Sequence, residues 1–384
     1  MWTLIKSLLV LVLIWGPEIG HGQNMKVKKM LQPVLDSLYK FSRVPGISVS
    51  IIMPNNKAYK MVAGYQHRQK QQPMRTNCRF LGGSTGKTFV SAVALKLIES
   101  GILDPEAKIS TYLEHIDWFH RLPNAYDITV KMLFNHTSGL VRYEFKEQFI
   151  RDWVKMPDKQ WTVIDRLQYI LDQPAPFKAG TAWDYSDTNY ILLGLIIEEI
   201  TGKTYYDLLK HWISRPLKLK NTGPAVHAKI KRLSPGYAGR SNLFGVPDEI
   251  VKKRELQVNP QVEWTGGGLF TTAADLAKWA KIIYSHQFFT ENADSLLYVT
   301  VPAKLGNENL EYGYGVMLRQ SAAGRMVGHG GFFPGYLAEM YYLPDLDLSI
   351  AVLYNSSDFS TMRVTPWQLL QTLAVRIRTK ISAL

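Results

Sequence analysis

Gly82-Gly83-Ser84-Thr85-Gly86-Lys87-Thr88 is the stretch on which the reading of this chain turns, because parts of it fit three different chemistries. Read as a phosphate-binding loop, Gly86-Lys87-Thr88 supplies the end of the pattern. The glycine due five residues before Gly86 is Leu81, however, so the cradle of backbone amides would be out of register. Read as G-x-S-x-G, Gly82, Ser84 and Gly86 fit the strained elbow of an α/β-hydrolase, and Asp187 and His329 follow in the chain order such a triad needs. The His-Gly-Gly at 329–331 then lies after the nucleophile, whereas the oxyanion loop of those enzymes precedes it. Read as S-x-x-K, Ser84 and Lys87 stand one helical turn apart, which puts an amine beside a hydroxyl. A serine at a helix start also meets free backbone amides and the positive end of the helix dipole, which favour developing negative charge. Ser37 and Lys40 share this spacing inside an amphipathic segment, where they read as ordinary surface residues.

A serine hydroxyl needs a base, and a lysine can serve only as a neutral amine. A third group is therefore expected elsewhere in the chain. The composition narrows the field. The 384 residues are 46% hydrophobic, 20% charged and 12% aromatic, with 28 Gly and 19 Pro. That is the composition of a folded globular protein and excludes disordered, collagen-like and disulfide-rich chains. A single cysteine, Cys78, excludes an intramolecular disulfide and a cysteine-based metal site. The histidines include no HExxH pattern, so no metal and no cofactor are expected. The formal charge of +13 is spread along the chain with no run of five basic residues. It suits an anionic environment, and no nucleic-acid partner is expected.

The N-terminus reads as an export signal, with Lys6, an apolar run from Leu8 to Trp15, the breaker Gly16-Pro17 and a small-residue end at Gly20-His21-Gly22. The run is far shorter than the roughly 20 residues that cross a bilayer, so residues 1–22 are expected to be a cleaved signal peptide leaving no membrane span. Its loss removes Lys6 and Glu18 together and leaves the charge unchanged. The expected location is periplasmic or secreted.

Apolar positions Met30, Leu31, Val34, Leu35 and Leu38 predict a helix over Met25–Phe41, stopped by Pro45-Gly46. Ile47, Val49 and Ile51 alternate with Ser48 and Ser50, a half-buried strand returning over Lys57–Tyr65. At the other end, Tyr336–Tyr342 and Leu348–Tyr354 read as strands around Pro344-Asp345, followed by a helix from Pro366 to Ile381. The middle is more helical: Thr85–Glu99, Asn189–Ile200, and Leu276–Tyr284 behind a Thr272/Asp275 cap. Both termini would thus build one layer of strands and helices, roughly residues 25–85 and 300–384, with a helical region at roughly 86–290 inserted between.

Two later stretches supply the missing groups. Tyr185-Ser186-Asp187-Thr188-Asn189-Tyr190 runs into an apolar helix, and Gly328-His329-Gly330-Gly331 leads through Phe332 to the C-terminal strands. With Ser84-Thr85-Gly86-Lys87 they resemble the SxxK, YxN and K/H-x-G motifs of the class C β-lactamase and D-Ala-D-Ala carboxypeptidase superfamily of serine hydrolases, which includes penicillin-binding proteins. His136-Thr137-Ser138-Gly139-Leu140 resembles that family's HTSGL loop, and Gly266-Gly267-Gly268-Leu269-Phe270-Thr271-Thr272 its glycine-rich turn. The similarity runs from about residue 30 to the C-terminus. It implies an α+β, β-lactamase/transpeptidase-like fold: a central antiparallel sheet flanked by N- and C-terminal helices, in one domain over residues 23–384.

Carried over, the resemblance implies that Ser84 is acylated and that Lys87 and Tyr185 share proton transfer. It places His329 near the Tyr185 hydroxyl, the Ser84 and Phe332 backbone amides in an oxyanion hole, and Gly330 and Gly331 against the substrate. His136 and Ser138 read as braces of their loop. The second motif departs from the family at Asp187, where Asn is usual. An ionised Asp accepts hydrogen bonds only, so facing the pocket it would attract an N–H or ammonium and keep Lys87 protonated. The expectation is an exported serine hydrolase acting on small peptide-like or ester substrates, with cell-wall fragments among the candidates. D-amino-acid carboxypeptidase or amidase activity leads, ahead of esterase and β-lactamase. A non-catalytic wall-binding module is the rival of a different class.

Overall fold

The computed structural model describes residues 20–381 except residue 307, with side chains over residues 27–380, so the leader read at residues 1–22 lies outside the described residues but for its last backbone positions. Helix α1 (Gly20–Ser42) leads into strands β1 (Gly46–Ile52), β2 (Ala58–His67) and the short β3 (Gln72–Pro73). The C-terminal third adds β4 (Val301–Leu305), β5 (Glu308–Tyr312), β6 (Met317–Ser321), β7 (Gly324–Phe333), β8 (Tyr336–Leu343) and β9 (Leu348–Tyr354). All join one antiparallel sheet of nine strands, in the order β3-β2-β1-β9-β8-β7-β6-β5-β4. The chain ends meet where β1 pairs with β9, Val49 opposite Val352. The fold is the α+β arrangement expected.

Four helices position what matters for function: α2 (Lys87–Glu99), α3 (Asp187–Thr201), α4 (Ala273–Tyr284) and α5 (Pro366–Ile381). Helices α1 and α5 cover the outer face of the sheet, burying Leu31, Leu35, Leu370 and Leu373 against Val49, Ile350 and Val352. Each such side chain contributes about 1.5–3 kcal/mol. Helix α4 covers the inner face, where Leu276, Ala277 and Ala280 join Ala351 and Leu353 in the larger core. The Thr272 side chain caps α4 by accepting from the Asp275 amide, and Ser349 Oγ donates to the Ala277 carbonyl at 2.8 Å.

The alternation in β1 misled in one respect. It predicts a strand with one wetted face, yet every residue of β1 is buried, Ser48 and Ser50 included. These serines pair with Leu353 and Ala351 on the side facing α4. Small side chains let the helix backbone approach, so here they signal close packing instead of solvent. Helix α2 is likewise buried on all sides from Lys87 to Leu95, as expected of a helix with little polar surface. It carries the reactive lysine into the interior between sheet and helical region.

Candidate active site

A tight 3-10 turn over Gly83–Gly86 carries Ser84 and runs directly into α2 at Lys87. From Phe80 to Leu95, Ser84 is the one residue not buried. The turn is wedged between two backbones. Gly83 has φ +50°, and a Cβ there would lie 2.6 Å from the Phe332 nitrogen, while a Cβ on Gly331 would lie 2.0 Å from the Gly82 carbonyl oxygen. Only glycines allow β7 to lie this close to the nucleophile turn. The Ser84 and Phe332 backbones are thereby brought side by side, as an oxyanion hole requires. Gly331 is thus a close-packing position against Gly82 and Thr85, and Gly330 lies beside the Glu339 carboxylate.

The buried Lys87 Nζ lies 3.0 Å from Ser84 Oγ, 2.5 Å from Asp187 Oδ1 and 2.5 Å from the Gly266 carbonyl oxygen. Three acceptors account for all three hydrogens of an ammonium. Burial alone would push the amine down, but the Asp187 carboxylate and the Tyr185 hydroxyl outweigh it, and Lys87 is held above its ordinary value. Asp187, the departure from the family pattern, is therefore first of all the counter-ion of the lysine. It sits in the first turn of α3, where the helix dipole favours negative charge.

Tyr185 immediately precedes that helix, and its hydroxyl is buried outside hydrogen-bonding geometry with any described group. It is nevertheless near enough to be biased from both sides. Burial raises the phenol, Lys87 and the Ser84 hydroxyl lower it and Asp187 raises it, leaving it above its ordinary value. The Lys87 ammonium lies 5.0 Å from the centre of its ring. His136 packs against that ring with centres 4.3 Å apart, accepting from the Ser186 amide at 3.2 Å and meeting Asn189 Nδ2 at 3.0 Å. Ser138 Oγ donates to Asn189 Oδ1 at 2.5 Å. The His136–Leu140 loop thus holds the start of α3 and the tyrosine in place.

His329 reaches the same cluster by a different contact from the one expected. Its ring is 6.3 Å from that of Tyr185, but its nitrogens meet the Tyr312 hydroxyl at 2.8 Å and the Gly330 carbonyl at 2.5 Å, with no bond to the Tyr185 hydroxyl. Burial pushes it down to about 3, the Gly330 carbonyl opposing and Lys87 adding to the effect, so it is neutral at working pH.

Sequence reasoning did not anticipate a group of acids beside this cluster. Glu144 accepts from Arg142 Nε at 3.0 Å and from the Asp187 amide at 3.4 Å, and its second oxygen is buried without a partner. Burial and then Asp187 push Glu144 up to about 7 and Glu263 up to about 8. Nothing in the pattern around residue 144 marks it. Glu263 could have been suspected from its place just before the Gly266–Gly268 turn. Among the described residues, no group of three His, Cys, Asp or Glu is disposed to hold a metal ion.

Residues 31–374 match the Beta-lactamase family. The chain belongs to that family. Penicillin-binding protein 4* of Bacillus subtilis (strain 168) is 26% identical over 347 residues, covering 86% of this chain and 72% of the relative. The teichoic acid D-alanine hydrolase of Staphylococcus aureus is 26% identical over 333 residues, covering 85% and 73%. The fold of a D-amino acid amidase from Ochrobactrum anthropi SV3 superposes with a TM-score of 0.79 at 23% identity, over 94% of this chain and 100% of that one. This family member is a serine hydrolase. Its three motifs, the second a hundred residues after the first and the third farther on still, converge on one cluster in which Lys87 bonds Ser84 and Asp187.

Proposed function

We propose that the protein hydrolyses small D-aminoacyl amides or esters through an acyl-enzyme on Ser84. The observation that carries this is the Lys87 amine, held between Ser84 Oγ and Asp187 Oδ1 at 3.0 and 2.5 Å. The Ser84 oxygen attacks the substrate carbonyl, whose oxygen takes the two amides of Ser84 and Phe332. Preorganised donors of this kind are worth about 3 kcal/mol each. Lys87, as an ammonium with all its hydrogens placed, steadies the developing alkoxide and has no lone pair for the serine proton. That proton passes to the Tyr185 oxygen in its ionised form, and the phenol returns it to the departing amine or alcohol. Water then releases the acid.

The substrate's free ammonium fits beside the Asp187 carboxylate, with two further acids, Glu144 and Glu263, raised chiefly by burial, crowding the same site. The unpartnered Glu144 oxygen gives it an acceptor. The protein's similarity to the D-alanine hydrolase and the D-amino acid amidase supports the same substrate class. A site outside the cytoplasm, where anionic wall polymers suit a basic surface, rests on the sequence of residues 1–22.

Intact-mass spectrometry during turnover of D-alaninamide, L-alaninamide, p-nitrophenyl acetate and a chromogenic cephalosporin tests this reading. The expected result is an adduct on Ser84 and preference for the D-amide, both lost in Ser84→Ala and Lys87→Ala. Absence of any adduct would favour the binding-module reading, and an active Lys87→Ala variant would show that acylation does not need the lysine.

A further inference from the structure

An aromatic stripe crosses the end of β7, built from residues distant in sequence. Phe359 stacks on Phe332 with ring centres 6.2 Å apart, Phe332 on Phe244 at 5.7 Å, and Phe244 on Phe145 at 5.9 Å. The Arg142 guanidinium lies 4.2 Å over Phe145 and 5.8 Å from the ring centre of Tyr185, which ties the far end of the stripe to the reactive cluster. The middle residue, Phe332, supplies the backbone beside Ser84. Phe359 is 61% exposed, Phe145 42%, and Leu243, next to Phe244 in the chain, 70%. Two of the nine large exposed apolar residues among those described, Phe359 and Phe145, therefore lie on the stripe, with Leu243 flanking it in the chain.

Such exposure is held by built loops. Asn242 Nδ2 bonds the carbonyls of Gly239 and Val246, and the Gly239 amide bonds Asp248. Asp358 bonds the Ser360 amide and the Thr361 hydroxyl, fixing the turn that presents Phe359. Contiguous apolar surface presented by a braced frame marks a binding surface.

We infer that this stripe is the subsite for a large apolar group on the acid half of the substrate, an aromatic ring or a chain of about six or more carbons. The leaving group must face Tyr185, which returns the proton. The large group on the acid half then extends past Phe332 toward Phe244 and Phe359, while an ammonium on the same half still faces Asp187. The inference rests on the reading of Ser84 as the acylated residue.

The experiment compares kcat/KM for p-nitrophenyl octanoate and phenylacetate with that for the acetate, in the wild type and in Phe359→Ser, Leu243→Ser and Phe244→Ser. Because each variant is judged by its own ratio to acetate, partial unfolding cancels. The expected wild-type ratio is at least tenfold, falling severalfold or more in each variant. A ratio near one overturns the inference, as does a high ratio that all three variants keep. Co-sedimentation with phosphatidylglycerol vesicles that depends on Phe359, with an unchanged ester ratio, would overturn it too and assign the stripe to a lipid surface. Failure of Ser84 to acylate with every ester would instead strike the underlying reading, an outcome separable by mass spectrometry.

Discussion

At the scale of the residue, the chemistry turns on Asp187, which both pins the Lys87 ammonium and raises the Tyr185 phenol. With the phenol above its ordinary value, its ionised form grows with pH through the neutral range. kcat/KM for an uncharged ester should therefore climb without a plateau below about pH 9. Asp187→Asn removes the charge that raises both partners, so the rising limb should move to lower pH, and ammonium-bearing substrates should lose more kcat/KM than uncharged ones. A pH–rate profile unmoved by the substitution would show that the pairing does not govern proton transfer.

Glu263 gives a stability prediction of definite sign. Its folded value is raised from 4.5 to about 8, chiefly by burial, so the folded state holds this proton more tightly than the unfolded chain. The stabilising effect is complete below about pH 4.5 and is lost as pH rises through about 8. Glu263→Gln escapes that loss. Its Tm should match the wild type near pH 5 and exceed it increasingly toward pH 8.5, in thermal melts across that range. Asp187 and Ser84 could be picked out in the sequence. Glu144 could not, and Glu263 only by its place before the glycine-rich turn, because a carboxylate's burial is decided by segments far away in the chain.

At the scale of the element, the site depends on how closely β7 lies against the Gly83–Gly86 turn. A Cβ at Gly331 would sit 2.0 Å from the Gly82 carbonyl, a contact with backbone that no rotamer change can relieve. Gly331→Ala should force strand and turn apart. Because a displacement of about 1 Å can cost about a hundredfold in rate, acylation should fall by that order while the circular dichroism spectrum persists. Full activity in Gly331→Ala would mean that the oxyanion geometry does not depend on this contact. Boundaries of long periodic elements were readable: α5 runs over Pro366–Ile381 and β9 over Leu348–Tyr354, as their patterns predict. The face of β1 was not, since serine alternation looks the same whether the opposite side meets water or a close-packed helix.

At the scale of the whole molecule, α1 and α5 form a core of their own on the outer face of the sheet, so stability and catalysis are largely separable there. Leu373, fully buried between α5 and the sheet, is a large-to-small site: Leu373→Ala should cost about 2–5 kcal/mol in urea unfolding. kcat per folded molecule should stay within a factor of about two. A proportionate fall in kcat would indicate that the outer helices transmit strain to the Ser84 turn.

Local order determined much of this protein from sequence alone. Repeating apolar periods set out the terminal helices and strands, and glycines flanking Ser84 and His329 marked where backbones had to come close, because side-chain spacing and the absence of a Cβ act within a few residues. Only the tertiary structure decided that His329 bonds Tyr312 instead of Tyr185, that Asp187 serves the lysine first, and that two further acids crowd the site. Those outcomes depend on distance and dielectric between segments that only the fold brings together, and no local pattern carries that information.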